Sequence, residues 1–419
     1  MPLTRRALLA RSLAGLGAPL WRALPGTGRT QPATAPPLHE RFSDLRRHFV
    51  FEYYPWYGRD PWVHWNQWGR HPPADIASNY VPRLGAYDSR ELRVLEQHAR
   101  WIAESGAGAV NLSWWGRDSY EERALSLFLD VLRDHDLKVA FHLEPYRNDR
   151  GRRFADDVLY LLREHGERRG YDVLLLLRDA DGRAGPVFKG FRTILPETET
   201  DCLGRVWPVP DYTPDDEWLR QLESLRRALR PEFERVVFLA DTVNVVRAAW
   251  AGFDGIAIYD PFVPPEDYAG WALAATTMGL VSCFNANPGF DAVAPRHGND
   301  PCARPRVLPD DSVDFSRPQE RERAASLAAR RLEESLDASL RAQTEPALRN
   351  AAMGFLLVYL NSFNEWHEGT AIEPMQDAAL LSPAERALGY HNPESGERRL
   401  GTLSRRLQML LHPPGHGIA

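Results

Sequence analysis

Cysteine is scarce in this chain. Only Cys202, Cys283 and Cys302 occur among 419 residues. No two of them stand at metal-finger spacing, which argues against a structural zinc site. The odd count leaves at least one thiol unpaired within a single chain. Export would permit one bridge, and Cys283–Cys302 is a conceivable pair. Long apolar runs are also missing, so no segment reads as a membrane span. Basic residues are not in excess: the formal net charge is −6. That gives no global attraction for a phosphate backbone and argues against nucleic-acid binding. There is no glycine-rich nucleotide loop after the first candidate strand. Nor is there a G-x-S-x-G elbow, an H-E-x-x-H pair or a repeat at solenoid periods. Dinucleotide binding, serine hydrolysis of that type and a helical zinc site therefore find no support.

What is present points elsewhere. The chain is 43% hydrophobic and 26% charged, ordinary for a globular protein. Tryptophan is abundant at thirteen residues, several of them clustered: Trp56, Trp62, Trp65 and Trp68, then Trp114 and Trp115. Such clusters either pack a core or line a sugar cleft, where flat apolar rings cover pyranose C–H faces and polar neighbours take the hydroxyls. The first residues, Thr4-Arg5-Arg6-Ala7-Leu8-Leu9-Ala10 and a short apolar stretch to Leu20, resemble a twin-arginine export signal. The alternative is a tail with a chance arginine pair. Residues 1–38 are read as signal and linker and 39–419 as one catalytic domain, located in the periplasm or outside the cell.

From about residue 45, strand-like and helix-like segments alternate. Short apolar runs at His48–Tyr54, Gly108–Ser113, Lys138–Leu143, Val173–Leu177, Val236–Ala240, Gly255–Tyr259, Leu280–Asn285 and Phe355–Leu360 suit strands buried on both faces. Amphipathic stretches at Ser89–Glu104, Tyr120–Asp134, Phe154–Arg168, Asp215–Leu229, Val243–Ala251, Glu266–Thr277 and Gln319–Ala342 read as helices; Leu92, Leu95, Ala99 and Ile102 mark one apolar face. Eight strands separated by helices predict an α/β fold, a (βα)8 TIM barrel in a single domain with long βα loops. The long irregular segments Gly58–Asp88, Arg178–Asp211 and Asn287–Pro318 each follow a candidate strand. They therefore belong on the C-terminal face, where barrels build active sites.

Unusual polar residues fall at those strand ends. The first strand runs into Tyr53-Tyr54-Pro55-Trp56-Tyr57-Gly58, the second ends in Asn111-Leu112-Ser113-Trp114-Trp115, and the third in His142-Leu143-Glu144-Pro145-Tyr146. The sixth ends in Tyr259-Asp260. The last runs into Asn361-Ser362-Phe363-Asn364-Glu365-Trp366-His367-Glu368-Gly369-Thr370-Ala371-Ile372-Glu373-Pro374. Glu365 and Glu368 are spaced to point the same way if the segment makes one helical turn. Two close carboxylates separate into ionised and protonated roles, the division of labour that cuts glycosidic bonds. The bland alternative is that they cap a helix or pair with arginines. Glu144 either holds a substrate hydroxyl or forms a buried ion pair at the barrel mouth. His64, His142 and His367 lack the spacing of a known zinc helix motif, so no metal is assigned.

These stretches resemble glycoside hydrolase family 99, the endo-α-mannosidase and endo-α-1,2-mannanase family. The matching segments, in family order, are Tyr53–Gly58, Trp62-Val63-His64-Trp65, Asp75-Ile76-Ala77-Ser78-Asn79-Tyr80, Asn111–Trp115, Phe141-His142-Leu143-Glu144-Pro145-Tyr146 and Asn364–Pro374. The resemblance implies a barrel that hydrolyses internal α-mannosidic bonds with retention and needs no metal or organic cofactor. It implies Glu365 as the base on the sugar 2-hydroxyl, giving a 1,2-anhydro intermediate, and Glu368 as general acid and base. It places Tyr54, Trp114, Glu144 and Tyr259 along the substrate site and Arg296 near the cleft. Trp56, His64, His142 and Trp366 complete the candidate substrate-binding set. The expected partner is an α-linked oligosaccharide or polysaccharide. The family's Asp-Ser-Tyr-like segment after the fourth strand is not matched by Phe188–Thr198, which leaves the linkage and the distal sugar sites open. Two other readings stay open: a non-catalytic carbohydrate-binding barrel, and an α-glycan hydrolase or transglycosylase of other sugar specificity.

Overall fold

The computed structural model describes residues 37–293 and 307–413. The export-like segment, Arg296 and Cys302 lie outside the described residues. Eight parallel strands form the barrel: β1 (Phe49–Tyr53), β2 (Ala109–Trp114), β3 (Lys138–Leu143), β4 (Ala184–Gly190), β5 (Val237–Ala240), β6 (Gly255–Ile258), β7 (Val281–Ala286) and β8 (Val358–Leu360). Neighbours pair in sequence order, β8 returns to β1, and the β4–β5 pairing completes the ring. Eight helices alternate with them: α1 (Leu92–Ser105), α2 (Leu125–Asp134), α3 (Arg150–Leu161), α4 (Asp215–Leu229), α5 (Val245–Trp250), α6 (Tyr268–Thr277), α7 (Pro318–Thr344) and α8 (Arg398–Leu411). This is the (βα)8 architecture expected from the alternation.

The fourth strand is only begun where the sequence places it: Leu174 bridges Val139 of β3 in parallel, and the rest of the rung comes from further along the chain. Leu176–Arg178, the end of the apolar run, pairs antiparallel with β4 as a hairpin arm. Ala184–Gly190, expected to be loop, supplies the rung between β3 and β5. Gly185, Pro186 and Lys189 disguise it. Gly185 is required by close approach: a Cβ there would lie 1.5 Å from the Arg235 carbonyl oxygen. The C-terminal helix α8 was also not evident from the periodicity. In α1 the buried stripe is Val94, Leu95, His98, Ala99, Ile102 and Ser105, whereas Leu92, expected on that face, is 53% exposed.

The barrel interior is layered along each strand with period two. Val50, Ala109, Ala140, Val187, Leu239, Ala257 and Cys283 form an apolar inner core. Two residues towards the C-terminal ends, the same face carries Glu52, Asn111, His142, Lys189, Asp241, Tyr259 and Asn285. The strands thus switch from hydrocarbon to polar groups at the level where the long loops begin. Cys283 sits in the apolar layer as a free, buried thiol, and burial pushes its pKa up, so it is an inert core residue. Cys202 is disulfide-bonded. The Cys283–Cys302 pairing conceived from the sequence is therefore not formed.

A second hydrophobic cluster roofs the C-terminal face. Tyr54, Trp56, Tyr57, Trp65, Ile76, Tyr80 and Tyr87 from the segment after β1 pack with Tyr259, Trp366, Met375 and Tyr390. Much of the Gly58–Asp88 segment is accordingly buried wall. If β4 is the true fourth strand, Gly185→Ala destabilises the protein by about 1–3 kcal/mol or more through overpacking. Gly270→Ala, in α6 with open space around it, is neutral or slightly stabilising. Urea unfolding of both variants checks this; an undisturbed Gly185→Ala variant would contradict the strand assignment.

Candidate active site

The carboxylates emerge from a tight reversal after β8. Asn361 N–H donates to the Ala286 carbonyl at 2.9 Å and Phe363 N–H to the Glu52 carbonyl at 2.8 Å, so the chain stays stitched to β7 and β1 as it leaves the barrel. The two arms of the reversal then pair: Ser362 N–H reaches the Thr370 carbonyl at 3.1 Å and Ile372 N–H returns to Ser362 at 2.9 Å. The hydroxyls of Ser362 and Thr370 bond at 2.8 Å. Ser362 Oγ also accepts Glu365 N–H at 2.8 Å. Glu365 and Glu368 therefore sit on a hydrogen-bonded turn, not on a regular helix, with residue exposures of 1% and 7%.

Glycine is required at the end of the turn. Gly369 has φ +65, and a Cβ there would fall 2.5 Å from the Asp291 carbonyl oxygen. The segment pressing on it is a clamp. Asp291 N–H donates to the Glu368 carbonyl at 2.8 Å and Val293 N–H to the His367 carbonyl at 3.0 Å. Asp291 is itself fixed by Asn79 Nδ2 and His391 Nδ1, each at 2.7 Å. Burial alone would raise its carboxyl pKa, but His391, Tyr80 and Asn79 outweigh that and lower it.

The two carboxylates have different neighbours. Glu365 Oε1 accepts His367 N–H at 3.1 Å, with His367 Nδ1 at 3.8 Å. Glu368 Oε2 accepts the Tyr259 hydroxyl at 3.3 Å, and Tyr54 donates to that hydroxyl at 2.9 Å. Trp56 gathers an aromatic wall beside them. It stacks on His64 at 4.5 Å and on His367 at 5.9 Å, and meets Tyr54 at 4.8 Å and Trp115 at 6.1 Å. Trp115 Nε1 donates to Ser113 Oγ at 3.2 Å, which donates to Glu144 Oε1 at 2.7 Å. The structure thus brings together Tyr54, Trp56, His64, Tyr259, Glu365 and Glu368, with Glu144 linked through Trp115.

Two of the candidate residues face other ways, and a third, His142, lies in the layer beneath, its ring 5.8 Å from that of Tyr259. Trp114 is buried in the core between strands and helices, its indole N–H held by Glu122; Trp115, pointing the opposite way, reaches the Trp56 wall. Trp366 is fully buried and donates its indole N–H to Tyr87 and Glu373. His142 is fully buried and bonds Glu52 Oε2 through Nδ1 at 2.8 Å. Among the described residues, no group of three His, Cys, Asp or Glu side chains is placed to hold a metal ion.

Sequence reasoning missed the charged floor below the site. Glu52 is fully buried. It accepts Asn111 Nδ2 at 3.0 Å and His142 Nδ1 at 2.8 Å, and forms an ion pair with Lys189. Burial raises its pKa, but Lys189 and His142 overcome that and hold the carboxyl at about 2. Lys189 Nζ lies 4.8 Å from the Tyr259 ring centroid and 4.5 Å from that of Tyr359, within cation–π range. Asp241, beside β5, accepts Tyr259 N–H at 3.1 Å; burial raises its pKa. A lone charge inside an apolar strand, as in Phe49-Val50-Phe51-Glu52-Tyr53, was the available signal.

Similarity to known proteins agrees with this geometry. The model of Glycosyl hydrolase family 99 matches residues 44–173. In sequence and in fold the chain is thus similar to glycoside hydrolase family 99, at the low identity of a divergent relative, and the similarity supports a hydrolase acting on glycosidic bonds. It is 27% identical over 374 residues to a glycoprotein endo-alpha-1,2-mannosidase-like protein of Danio rerio, covering 80% of this chain and 72% of that one. It is 24% identical over 364 residues to the glycoprotein endo-alpha-1,2-mannosidase of Rattus norvegicus, covering 77% of this chain and 66% of that one. The GH99 endo-alpha-mannosidase from Bacteroides thetaiotaomicron has the same fold, with TM-score 0.61 and 19% identity over 87% of this chain and 98% of that one.

The charged floor has a consequence for stability. Lys189→Met strands a buried carboxylate and costs about 3–5 kcal/mol, whereas the neutral pair Glu52→Gln/Lys189→Met recovers most of that loss. Glu52 titrates near 2 when folded, below its ordinary 4.5. Its contribution is therefore complete above pH 4.5 and lost as pH falls towards 2. Urea unfolding across that window should show a component of acid sensitivity in the wild type that the double variant lacks. Equal slopes would contradict the assigned pairing.

Proposed function

We propose that the protein is a retaining, endo-acting α-mannosidase-like hydrolase that cleaves internal α-mannosidic bonds. Similarity to the family, and the activity for which its relatives are named, support the substrate class. The observation that carries the mechanism is the buried turn that presents Glu365 and Glu368 together with unlike neighbours, one beside His367 and the other beside Tyr259. A backbone N–H aimed at Glu365 Oε1 favours negative charge there, which suits a base.

In the first step Glu365 takes the proton from the sugar 2-hydroxyl, and O2 attacks C1. The bond from C1 to the leaving oxygen breaks, and Glu368 gives that oxygen its proton. In the second step the Glu368 carboxylate takes a proton from water. The water oxygen attacks C1, the three-membered ring opens, and O2 recovers its proton from Glu365. Two inversions at C1 give net retention. In an α-mannoside the 2-hydroxyl is axial and trans to the leaving group, so the first attack comes from the open side.

Around this pair we assign sugar contact to Tyr54, Trp56, His64, Trp115, Glu144 and Tyr259, whose rings and polar groups meet at the barrel mouth. Trp114, His142 and Trp366 are assigned to support, since the Trp114 indole N–H, His142 Nδ1 and the Trp366 indole N–H engage Glu122, Glu52 and Glu373. Arg296 keeps its proposed place near the cleft on the resemblance alone. The segment Thr4–Leu20 supports export to the periplasm or outside, where the glycan would be met.

The test is digestion of α-mannan and a panel of α-linked mannosyl and glucosyl oligosaccharides. Oligosaccharides released with the α configuration are expected from the wild type. Glu365→Gln and Glu368→Gln each lower kcat by about 10²–10⁴-fold, while circular dichroism and Tm stay close to wild type. Unchanged turnover in either variant removes that residue from the mechanism. Binding without release across the panel would favour a carbohydrate-binding barrel, and sugar transfer to an added acceptor a transglycosylase.

A further inference from the structure

Glu373 stands at the far end of the turn that carries Glu365, and it is fully buried. A carboxylate away from water is costly unless its oxygens are bonded. Here three donors converge on it. Tyr87 donates to Oε2 at 2.8 Å and Trp366 Nε1 to the same oxygen at 3.2 Å. His98 Nε2, from α1, lies 3.1 Å from Oε1, and its Nδ1 bonds the Tyr53 hydroxyl of β1 at 2.9 Å. Burial, and after it the charge of Glu373, push the pKa values of Tyr53 and Tyr87 well up. Both phenols therefore remain protonated.

The network grips the residues on both sides of Glu365. Trp366 is held at its indole nitrogen by Tyr87 and Glu373, and at its backbone N–H by Tyr57 Oη at 3.0 Å. Asn364 donates to Tyr87 Oη at 3.3 Å and bonds the Tyr54 backbone in both directions, at 2.8 and 2.9 Å. Tyr87, His98, Trp366 and Glu373 are all buried. Packing alone would be served as well by an apolar side chain of similar size, so the carboxylate calls for another role.

We propose that Glu373, braced by His98, is a positioning residue: it fixes Trp366 and Asn364 so that Glu365 meets the sugar 2-hydroxyl in one orientation. This rests on the role given to Glu365 above. Loss of such support costs turnover more than binding, because a displacement of about 1 Å can lower rates 10²-fold.

Two variants and two readouts test it. Glu373→Leu removes both acceptor oxygens, while Glu373→Gln keeps one for Tyr87 and Trp366 and places an amide against His98. Hydrogen exchange of residues 362–373 and of the Trp366 indole N–H needs no substrate. We expect Glu373→Leu to speed exchange there about tenfold or more with the core strands unchanged, and Glu373→Gln to restore protection. Exchange equal to wild type in Glu373→Leu overturns the proposal, whatever the activity. In turnover, Glu373→Leu should lower kcat about tenfold or more with KM within about twofold, and Glu373→Gln should recover most of it. A kcat unchanged in folded Glu373→Leu also overturns it. Should Glu373→Leu not fold, Tyr87→Phe, which deletes the hydroxyl shared by Asn364, Trp366 and Glu373, is expected to change exchange and kcat in the same directions, and no change would overturn the proposal. If the wild type cleaves nothing in the panel, the hydrolase reading fails, and the exchange data still decide whether Glu373 holds the turn.

Discussion

A carboxylate buried in the barrel, Glu52, sets the terms for everything above it. It cannot stay charged in hydrocarbon without partners, and those partners come one from each of the next three strands: Asn111, His142 and Lys189. Four consecutive strands are thereby locked in register at the level where the apolar core ends. Phe363 N–H donates to the Glu52 carbonyl, so the same residue anchors the start of the turn that carries Glu365 and Glu368 through its backbone. Lys189 lies under the ring of Tyr259, whose hydroxyl meets Glu368. The site is built outward from a charged floor.

Above the floor, the turn is held from two sides by unlike means. Towards α1 and the first strand, buried side-chain bonds from Glu373, Tyr87 and Asn364 fix the neighbours of Glu365. Towards β7, backbone bonds from Asp291 and Val293 fix His367 and Glu368, and Asn79 and His391 fix Asp291 in turn. Each carboxylate thus has its own support. A polar network with every member bonded is rigid, and rigidity is what the roles proposed for Glu365 and Glu368 require.

Much of this was legible in the chain. Alternation of apolar runs with amphipathic stretches gave the barrel, because strands covered on both faces carry a strong hydrophobic signal. Polar and aromatic residues at strand ends marked the mouth, and the spacing of Glu365 and Glu368 marked the turn to which the chemistry is assigned above. What escaped had physical reasons. β4 hides behind Gly185, Pro186 and Lys189: the glycine serves a backbone approach and the lysine a buried ion pair, neither of which has a local signature. Trp114 and Trp115 look equivalent in sequence, and only strand alternation decides which one reaches the mouth. His98, Asp291, His391 and Glu373 bond across long stretches of chain, and no local spacing reveals such partners.

The roles proposed for Glu365 and Glu368 require the two carboxylates to be held for different atoms of one sugar. A crystal structure of the folded Glu365→Gln variant with an intact α-linked mannosyl oligosaccharide tests this most directly. The substituted side chain is expected within about 3 Å of the sugar 2-hydroxyl, with Glu368 at the glycosidic oxygen. A carboxylate poised in line behind C1, with the 2-hydroxyl turned away from position 365, would contradict it.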